Sequence, residues 1–387
     1  MYRISTLNKI SPIGLERFTD KYEIVDGADG VRGATGILVR SQDMHDMDFD
    51  SDLLAIARAG AGVNNIPLEK CADQGIVVFN TPGANANSVK ELVLGSMIVA
   101  ARNIDSSIAW VNSLKNDPSI DDMAKAVEKG KSMFAGHEIL GKTLGVVGLG
   151  AIGAMVANAA VDLGMKVYGY DPFLSPEAAK RLNPAIQIIQ TTEEMYPKCE
   201  YVTLHLPATK DTTGMINSEA LSRFNDGAIL LNFSRDKLVV ESDILAALDS
   251  GKLAKYVTDF ATNGILGNEK VTVTPHLGAS TDEAENNCAI MAADEIMDYI
   301  ERGNIVNSVN FPRVTLDADS KHRVAILTKG PDGIPDPDAI AQSTLGFSIK
   351  AVSSGTRGDY GYILYATDDE VSELPTGEGI TKARIVF

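Results

Sequence analysis

The sequence has few cysteines, fewer basic than acidic residues, and no long hydrophobic run. Its cysteines, Cys71, Cys199 and Cys288, are odd in number and widely spaced, which indicates reduced packing residues rather than a disulfide framework or metal site. Thirty-five basic residues against 52 acidic ones give a net charge of −17 over 387 residues, which is unfavourable for non-specific binding to nucleic acid or anionic membranes. There is no N-terminal apolar signal core and no run of membrane-span length. We therefore expect a cytoplasmic protein with no metal, no nucleic-acid partner and no membrane partner.

A glycine-rich turn between an apolar strand and a helix is the most informative local pattern. A strand predicted over 144–147 runs into Gly148-Leu-Gly150-Ala151-Ile152-Gly153, a helix follows over 154–163, and a strand over 166–170 ends at Asp171. In such a unit the first glycine allows a tight turn, the second lets amides approach a pyrophosphate, and the third lets helix and strand pack closely. The acid can accept hydrogen bonds from a ribose 2′-hydroxyl, which favours NAD over NADP. The turn therefore predicts an NAD site.

Patterns on both sides of the turn indicate further α/β units. Over residues 1–80 we predict strands at 37–40 and 76–79 with a helix at 53–59 between them. After the turn, apolar runs separated by helical stretches are typical of a doubly wound sheet; they span 201–205, 228–232, 256–258 and 271–273. Long helices over 88–101 and 281–302 flank this unit and suggest an inserted domain. Residues 103–141 are polar and irregular, and their sequence predicts a long loop.

Beyond residue 312 the pattern changes to a small α+β module. We predict strands over 322–328, 347–353, 360–366 and 383–387, a helix over 337–345 and a second helix near 369–374. This βαββ(α)β order is typical of a ferredoxin-like module.

An ordered set of motifs resembles the NAD-dependent D-2-hydroxyacid dehydrogenases over residues 30–310. The motifs are Val39-Arg-Ser41, Arg58-Ala-Gly-Ala-Gly-Val63, Asn80-Thr-Pro82, the glycine-rich turn, His205-Leu-Pro207, Asn232-Phe-Ser-Arg235 and Pro275-His-Leu-Gly-Ala-Ser280. The resemblance implies two Rossmann-like doubly wound domains, with the nucleotide domain inserted in a flavodoxin-like substrate domain, plus a C-terminal ACT-like regulatory module. The implied bounds are 1–88 with 281–310 for the substrate domain, 89–280 for the NAD-binding domain with a dimerisation arm near 103–141, and 320–387 for the module.

The resemblance also implies site residues. Arg235 follows a predicted strand, where a guanidinium can grip a carboxylate with two hydrogen bonds, and the imidazole of His276 suits a proton shuttle. The simpler alternatives are a surface ion pair for the arginine and a structural hydrogen bond for the histidine. The implied cofactor residues are Gly148, Gly150, Ala151, Ile152, Gly153, Asp171, His205, Pro207, Thr212, Asn232, Phe233, Ser234, Asp259 and Gly278. The implied substrate residues are Arg40, Arg58, Ala61, Gly62, Val63, Asn85 and Lys131, the last reaching a partner subunit.

One position departs from the family pattern. A glutamate that orients the histidine lies five residues after the aspartate that Asp259 matches, and here that position is Gly264. Glu269 is near in sequence but in the wrong register, so it could replace that glutamate only if the loop were rebuilt. We expect His276 to function with a looser orientation than in its relatives.

Within the family the likeness is strongest to enzymes that oxidise D-3-phosphoglycerate to 3-phosphooxypyruvate, the first step of serine biosynthesis. It implies a phosphorylated hydroxy acid as substrate and a homodimer or higher homo-oligomer. The alternatives are a reductase of glyoxylate, hydroxypyruvate or a lactate-like acid, and an NAD-sensing binding protein with little turnover. The C-terminal module could bind serine, bind another amino acid, or be a relic.

Overall fold

The computed structural model describes residues 1–27, 30–115, 117–330 and 347–387. They divide into two compact units. The first unit comprises Met1–Asn85 and Asp282–Phe387, and the second comprises Ala86–Thr281. The chain therefore leaves the first unit once and later returns to it.

The first unit begins with a five-stranded parallel sheet. Its strands and first helices are β1 (Tyr2–Leu7), α1 (Pro12–Leu15), β2 (Tyr22–Asp26), β3 (Gly36–Val39), β4 (Ala55–Arg58), α2 (Leu68–Asp73) and β5 (Val77–Asn80). The strand order is β2-β1-β3-β4-β5, and every neighbouring pair is parallel. This 2-1-3-4-5 order is that of flavodoxin-like sheets, so the predicted topology is confirmed.

The helix predicted over 53–59 is wrong, because this segment contains strand β4. Ala55, Ile56 and Ala57 are fully buried, and β4 pairs with β3 on one side and β5 on the other. A strand covered on both faces is apolar throughout, and so short a run cannot be told from a helix by its periodicity. Alanine and leucine favour helices, but the hydrogen bonds of two neighbouring strands override that weak preference.

The second unit contains a seven-stranded parallel sheet. Its strands are β6 (Thr143–Val147), β7 (Lys166–Tyr170), β8 (Gln187–Ile188), β9 (Tyr201–Leu204), β10 (Ala228–Asn232), β11 (Leu253–Thr258) and β12 (Val271–Val273). The order is β12-β11-β10-β9-β6-β7-β8. If β6 is numbered 1, the order read from the β8 edge is 3-2-1-4-5-6-7. This is the strand order of dinucleotide-binding folds with one strand added. The predicted Rossmann-like fold is confirmed.

Helices separate these strands and cover the sheet. They are α3 (Ala86–Arg102), α4 (Ile104–Ser113), α5 (Met123–Gly130), α6 (Ala151–Asp162), α7 (Pro176–Ala179), α8 (Thr192–Met195), α9 (Ser218–Ser222) and α10 (Glu241–Asp249). Neighbouring strand residues enter different hydrophobic clusters: Val146 packs with α3 and α6, and Val147 packs with α9 and α10. This alternation is expected for a sheet that is buried on both faces.

The segment after α3 is helical, so the prediction of a long loop over 103–141 is wrong. α4 and α5 are followed by a 3₁₀ turn, Lys131–Phe134. Asp122 caps α5 by accepting a hydrogen bond from the Lys125 amide, and the rings of Trp110 and Phe134 lie 5.3 Å apart. A local cap and an aromatic contact thus order a polar segment. Among the described helices none alone has the length and apolarity to cross a membrane, although α3 and α4 together, bent by 63°, meet that measure.

The chain returns to the first unit through α11 (Asp282–Arg302) and ends in an antiparallel sheet. The strands are β13 (His322–Lys329), β14 (Ala351–Arg357), β15 (Tyr360–Thr367) and β16 (Ile380–Ile385), in the order β14-β15-β13-β16. Because β13 and β14 are both antiparallel to β15, they run parallel to each other with β15 between them, the arrangement of a split βαβ unit. The sheet shares a hydrophobic cluster with β1, β3 and α11.

The two helices predicted in this module have different outcomes. The helix predicted over 337–345 lies outside the described residues. The helix predicted near 369–374 is wrong, because residues 368–379 contain no helix. Pro375 and the positive-φ glycines Gly377 and Gly379 follow directly and leave no room to continue a helical turn.

Candidate active site

The strands of the second unit end together at one edge of the sheet. Val147 pairs with Tyr170 and with Leu204, Leu204 pairs with Asn232, and Asn232 pairs with Thr258. Thr258 in turn pairs with Val273. Residues that directly follow these strands therefore lie along a common carboxyl edge, where ligands bind in parallel α/β sheets.

The glycine-rich turn lies between β6 and α6, and each of its glycines has a different structural reason. Gly148 has φ +92°, and a Cβ there would lie 2.5 Å from the carbonyl oxygen of His205. A Cβ at Gly153 would lie 1.9 Å from the carbonyl oxygen of Gly148, so this glycine permits close packing of helix on strand. At Gly150 a Cβ would meet nothing within 4 Å. That open space beside the N-terminal amides of α6 fits a pyrophosphate.

Asp171, directly after β7, is tied to this turn. One carboxylate oxygen accepts a hydrogen bond from the Leu149 amide at 2.9 Å, and the other accepts from the Phe173 amide at 2.9 Å. Each carboxylate oxygen can accept a second hydrogen bond, so a ribose hydroxyl can still bind. The structure thus brings Asp171 and the three glycines together.

Arg235 is carried by a loop that buried polar groups hold in place. The side-chain amide of Asn232, fully buried, donates to the carbonyl oxygen of Arg235 at 2.8 Å and accepts from the Ser234 amide at 3.2 Å. The Ser234 hydroxyl donates to the carbonyl oxygen of Leu206 at 2.7 Å. Phe233 is buried, whereas Arg235 is exposed. Asn232 and Ser234 therefore fix the backbone from which the guanidinium extends.

Asp259 follows β11, and its carboxyl group is buried. Its side chain is 3% exposed, and neither oxygen accepts a hydrogen bond from another described residue. Burial raises the pKa of Asp259, although the nearby charges of His276 and Arg235 partly oppose the rise. A donor such as a carboxamide would satisfy these oxygens, so this site fits the nicotinamide end of NAD. Gly278 lies beside it, since a Cβ there would be 3.8 Å from Asp259 Oδ2.

His276 lies just beyond β12, on the neighbouring strand end. The Thr274 amide donates to the Thr258 carbonyl at 3.0 Å and continues the pairing with β11. The imidazole is exposed and packs edge-on against Phe260, with ring centroids 5.2 Å apart. The structure thus brings Arg235, Asp259 and His276 to adjacent strand ends.

The second histidine at this edge has a different environment. Burial lowers the pKa of His205 to about 4, and its Nε2 lies 3.0 Å from the Thr203 hydroxyl. A neutral, buried imidazole of this kind is suited to structure rather than to proton transfer near neutral pH. The loop that follows is closed by the Thr212 hydroxyl, which donates to the Pro207 carbonyl at 2.6 Å.

The sequence-predicted substrate residues of the first unit lie at the ends of β3 and β4. Arg58 donates from Nε to the Arg40 carbonyl at 3.0 Å, and Arg40 forms an ion pair with Glu285 at 2.7 Å. The turn of Ala61, Gly62 and Val63 follows β4, and within the described chain these three amides donate to no other group. That turn can therefore act as an anion nest.

The last two predicted substrate residues differ in their surroundings. Asn85 has a buried side-chain oxygen without a partner in the described chain. Lys131 lies in the arm, in the 3₁₀ turn after α5, where it is exposed and pairs with Glu128.

Two features of the second unit could not be read from the sequence. One is the ring contact from Phe260. The other is that a Cβ at Gly264 would lie only 2.1 Å from Oε1 of Glu241 on α10, so a carboxylate already fills that space. Glu269, considered from the sequence as a replacement, is exposed ahead of β12. No sequence signal links positions 241 and 264, because folding alone brings them together.

Comparison with known proteins agrees with this arrangement. The D-isomer specific 2-hydroxyacid dehydrogenase NAD binding domain matches residues 94–278. The chain is 30% identical to the D-3-phosphoglycerate dehydrogenase of Bacillus subtilis over 416 aligned positions, covering 99% of this chain and 75% of that protein. It is 36% identical to the D-3-phosphoglycerate dehydrogenase of Methanocaldococcus jannaschii over 274 positions, covering 68% of this chain and 49% of that protein.

A solved structure extends the likeness to the fold. The crystal structure of NAD⁺-bound 3-phosphoglycerate dehydrogenase from Entamoeba histolytica has a TM-score of 0.61 and 27% identity, covering 80% of this chain and 98% of that chain. The chain spans about half the length of the Methanocaldococcus, rat and human relatives that it matches. The fold, the ordered motifs and the similarity to the Bacillus protein over 99% of this chain together show that the chain belongs to the D-isomer specific 2-hydroxyacid dehydrogenase family.

Proposed function

We propose that this chain oxidises D-3-phosphoglycerate to 3-phosphooxypyruvate with NAD. The observation that carries the proposal is the placement of Arg235, Asp259 and His276 at adjacent strand ends of the sheet that holds the glycine-rich turn. Three relatives named above are D-3-phosphoglycerate dehydrogenases, two at 30% and 36% identity and one by fold. The arrangement favours an enzyme over a protein that only senses NAD, because binding alone needs neither an acid-base histidine nor an exposed arginine.

Arg235, His276 and Asp259 each have a separate role in the proposed reaction. The exposed Arg235 guanidinium holds the substrate carboxylate and carbonyl oxygen with paired hydrogen bonds, and so sets the orientation of the reacting carbon. The His276 imidazole accepts the hydroxyl proton as the carbon is oxidised. Asp259, whose carboxyl oxygens accept no hydrogen bond from the described residues, would hold the carboxamide of the nicotinamide. When bound, NAD supplies the hydride acceptor.

The phosphate end of the substrate is assigned to the first unit. Arg40 and Arg58 follow neighbouring parallel strands, and the Arg58 guanidinium lies over the turn, since a Cβ at Gly60 would be 2.3 Å from its Nη1. The two guanidinium groups form a suitable phosphate site in a chain of net charge −17. The neighbouring amide turn of Ala61, Gly62 and Val63 is assigned to the substrate carboxylate.

A panel assay distinguishes the candidate activities. Absorbance of reduced cofactor is followed with D-3-phosphoglycerate and D-lactate in the forward direction, and with 3-phosphooxypyruvate, hydroxypyruvate and glyoxylate in reverse. We expect the highest kcat/KM for the phosphorylated pair. Turnover of glyoxylate with the phosphorylated acids inert would make the chain a different 2-hydroxyacid reductase. Saturable NAD binding with no turnover of any acid would indicate a sensor.

Asp171 should determine the choice of cofactor. Replacing Asp171 with alanine removes a charged hydrogen-bond acceptor, so we expect NAD binding to weaken about 10- to 100-fold. NADP should lose far less affinity, because its 2′-phosphate no longer meets a carboxylate. Fluorescence titration of both cofactors measures the ratio. The matched control is Asp162→Ala at the other end of α6, which should change neither affinity. Equal losses for the two cofactors would contradict a role in discrimination.

The arm is proposed as the surface through which two copies of the chain associate. Its helices expose large apolar side chains, including Ile108 at 55%, Met123 at 44% and Met133 at 64% exposure. Such side chains are costly to leave in water and favour burial against a second copy. The proposed assembly is a homodimer or a higher homo-oligomer, in which Lys131 would approach the partner.

The C-terminal antiparallel sheet is proposed as an ACT-like regulatory module. Its support is the split arrangement of β13, β14 and β15, with β16 on the other side of β13. Whether it binds serine or another amino acid depends on the turn that begins at Lys329, most of which lies outside the described residues.

A further inference from the structure

The carboxylate of Glu241 occupies the position from which a side chain at residue 264 would extend. A Cβ built at Gly264 would lie 2.1 Å from Glu241 Oε1 and 3.0 Å from its Cδ. If residue 264 carried a side chain, the Glu241 carboxylate would have to move, so the glycine leaves room for the carboxylate in this position. Glu241 is the first residue of α10, on a different element from the loop that it contacts.

Two interactions hold this carboxylate in place. The Thr262 hydroxyl, two residues before Gly264, donates a hydrogen bond to Glu241 Oε2. Glu241 also lies in the first turn of α10, where the helix dipole stabilises an acid. One oxygen of the carboxylate is therefore held by Thr262, and its charge is favoured by the position on the helix.

The surroundings connect Glu241 to both proposed catalytic residues. It lines a cavity of about 170 Å³ together with Tyr256 and Phe260. Phe260 contacts the His276 ring edge-on, and the Tyr256 hydroxyl lies 3.4 Å from the Asn232 amide that holds the Arg235 loop. A change at Glu241 can thus reach His276 through one neighbour and Arg235 through the other.

We propose that Glu241 is the positioning residue of His276, supplying from α10 the carboxylate that Gly264 lacks. The inference rests on the proposed function, in which His276 accepts the substrate proton. A carboxylate held here stabilises the loop that carries Phe260, and through that ring the orientation of the imidazole, and it favours positive charge in this region. The other charged groups that face this region are Asp259 and Arg235 beside His276, and Asp236 and Lys237 at the cavity.

The first test removes only the charge. In Glu241→Gln, Thr262 keeps a hydrogen-bond acceptor, so the fold should persist. We expect kcat to fall about tenfold with little change in KM, and the acidic limb of the kcat/KM profile to move about half a pH unit lower. Glu269→Gln is the matched control, because it removes an exposed carboxylate that follows the same loop. A shifted profile in Glu269→Gln with none in Glu241→Gln would assign the role to Glu269 and overturn the proposal.

The second test relocates the carboxylate. Gly264→Glu alone should impair activity, since its side chain must displace Glu241. Glu241→Ala alone should also impair it, and the double variant Glu241→Ala with Gly264→Glu should recover most of the native kcat. Additive losses in the double variant would show that neither position orients His276, and so would refute the proposal.

A third measurement does not depend on turnover. The ring signals of His276 are followed by NMR as a function of pH in the NAD-bound protein and in NAD-bound Glu241→Gln. We expect the titration midpoint to fall in the variant, and an unchanged midpoint would reject the role of Glu241. A shifted midpoint in a protein that oxidises no hydroxy acid would instead reject the proposed function and leave the electrostatic coupling established.

Discussion

Replacing His276 with glutamine is expected to lower kcat about 10²- to 10⁴-fold while leaving the KM for NAD nearly unchanged. The exposed imidazole is the group placed to take the hydroxyl proton, and glutamine cannot accept that proton. His205, the other histidine at this sheet edge, cannot substitute, because burial lowers its pKa to about 4 and it is held by Thr203. Steady-state kinetics over a pH range, with fluorescence titration of NAD, measure both effects.

The matched control is His322→Gln on β13, a half-buried histidine whose ring nitrogen lies 3.2 Å from the Phe387 carbonyl. It should leave kcat unchanged. A His276→Gln variant that raises KM for the hydroxy acid without lowering kcat would contradict proton transfer by His276. That result would show that the residue only binds substrate.

Replacing Glu295 with glutamine is expected to stabilise the protein at pH 8 by about 2–4 kcal/mol and to have little effect near pH 5. Glu295 lies on α11 and is 9% exposed. One carboxyl oxygen accepts from the Asn307 amide at 2.6 Å, and the other has no partner in the described chain. Burial therefore raises the pKa of Glu295 to about 8, with a smaller contribution from Asp294.

The direction in which the stability changes with pH follows from proton linkage. The unfolded chain releases this proton near pH 4.5, whereas the folded chain keeps it until about pH 8, so stability falls as pH rises through that window. Glutamine has no proton to lose and can keep the hydrogen bond from Asn307. Urea unfolding of both proteins at the two pH values gives the difference. Stabilisation of equal size at both would contradict a titrating carboxyl.

Glu301, on the same helix, serves as a control because its pKa is shifted in the opposite direction. Burial would raise the pKa of Glu301, but hydrogen bonds from Lys21 and Tyr22 outweigh it and lower that pKa overall. Glu301→Gln should therefore destabilise the protein at pH 8 and less so at acid pH, where the carboxylate is being protonated.

The parts of the fold and site that follow from local chemistry could be predicted from the sequence. Gly148, Gly150 and Gly153 have fixed spacing because a tight turn, an open amide face and a close helix contact need them there, and the structure places each accordingly. The ends of β7 and β10 agree with the predicted ones, since apolar runs stop where polar loop residues begin.

Other parts depended on tertiary contacts. The sequence wrongly predicts a helix at β4, because the hydrogen bonds that make this segment a strand are formed with β3 and β5 and not within the segment itself. The burial of Glu295 had one signal, its position three residues after Ala292 and four before Tyr299, both buried on the same helix face. That one of its two carboxyl oxygens accepts no hydrogen bond from the described residues could be seen only in the folded chain.

The sequence by itself determined that the chain has a dinucleotide turn, an arginine and a histidine at predicted strand ends, and a glycine at position 264, where the family pattern implies a glutamate. These features are local, because each depends on the residue types and their spacing within a short segment of the chain. Only the tertiary structure decided that the Gly264 space holds the carboxylate of Glu241. The two residues are 23 positions apart and come together because β11 returns the chain to the first turn of α10, a contact that no local pattern encodes.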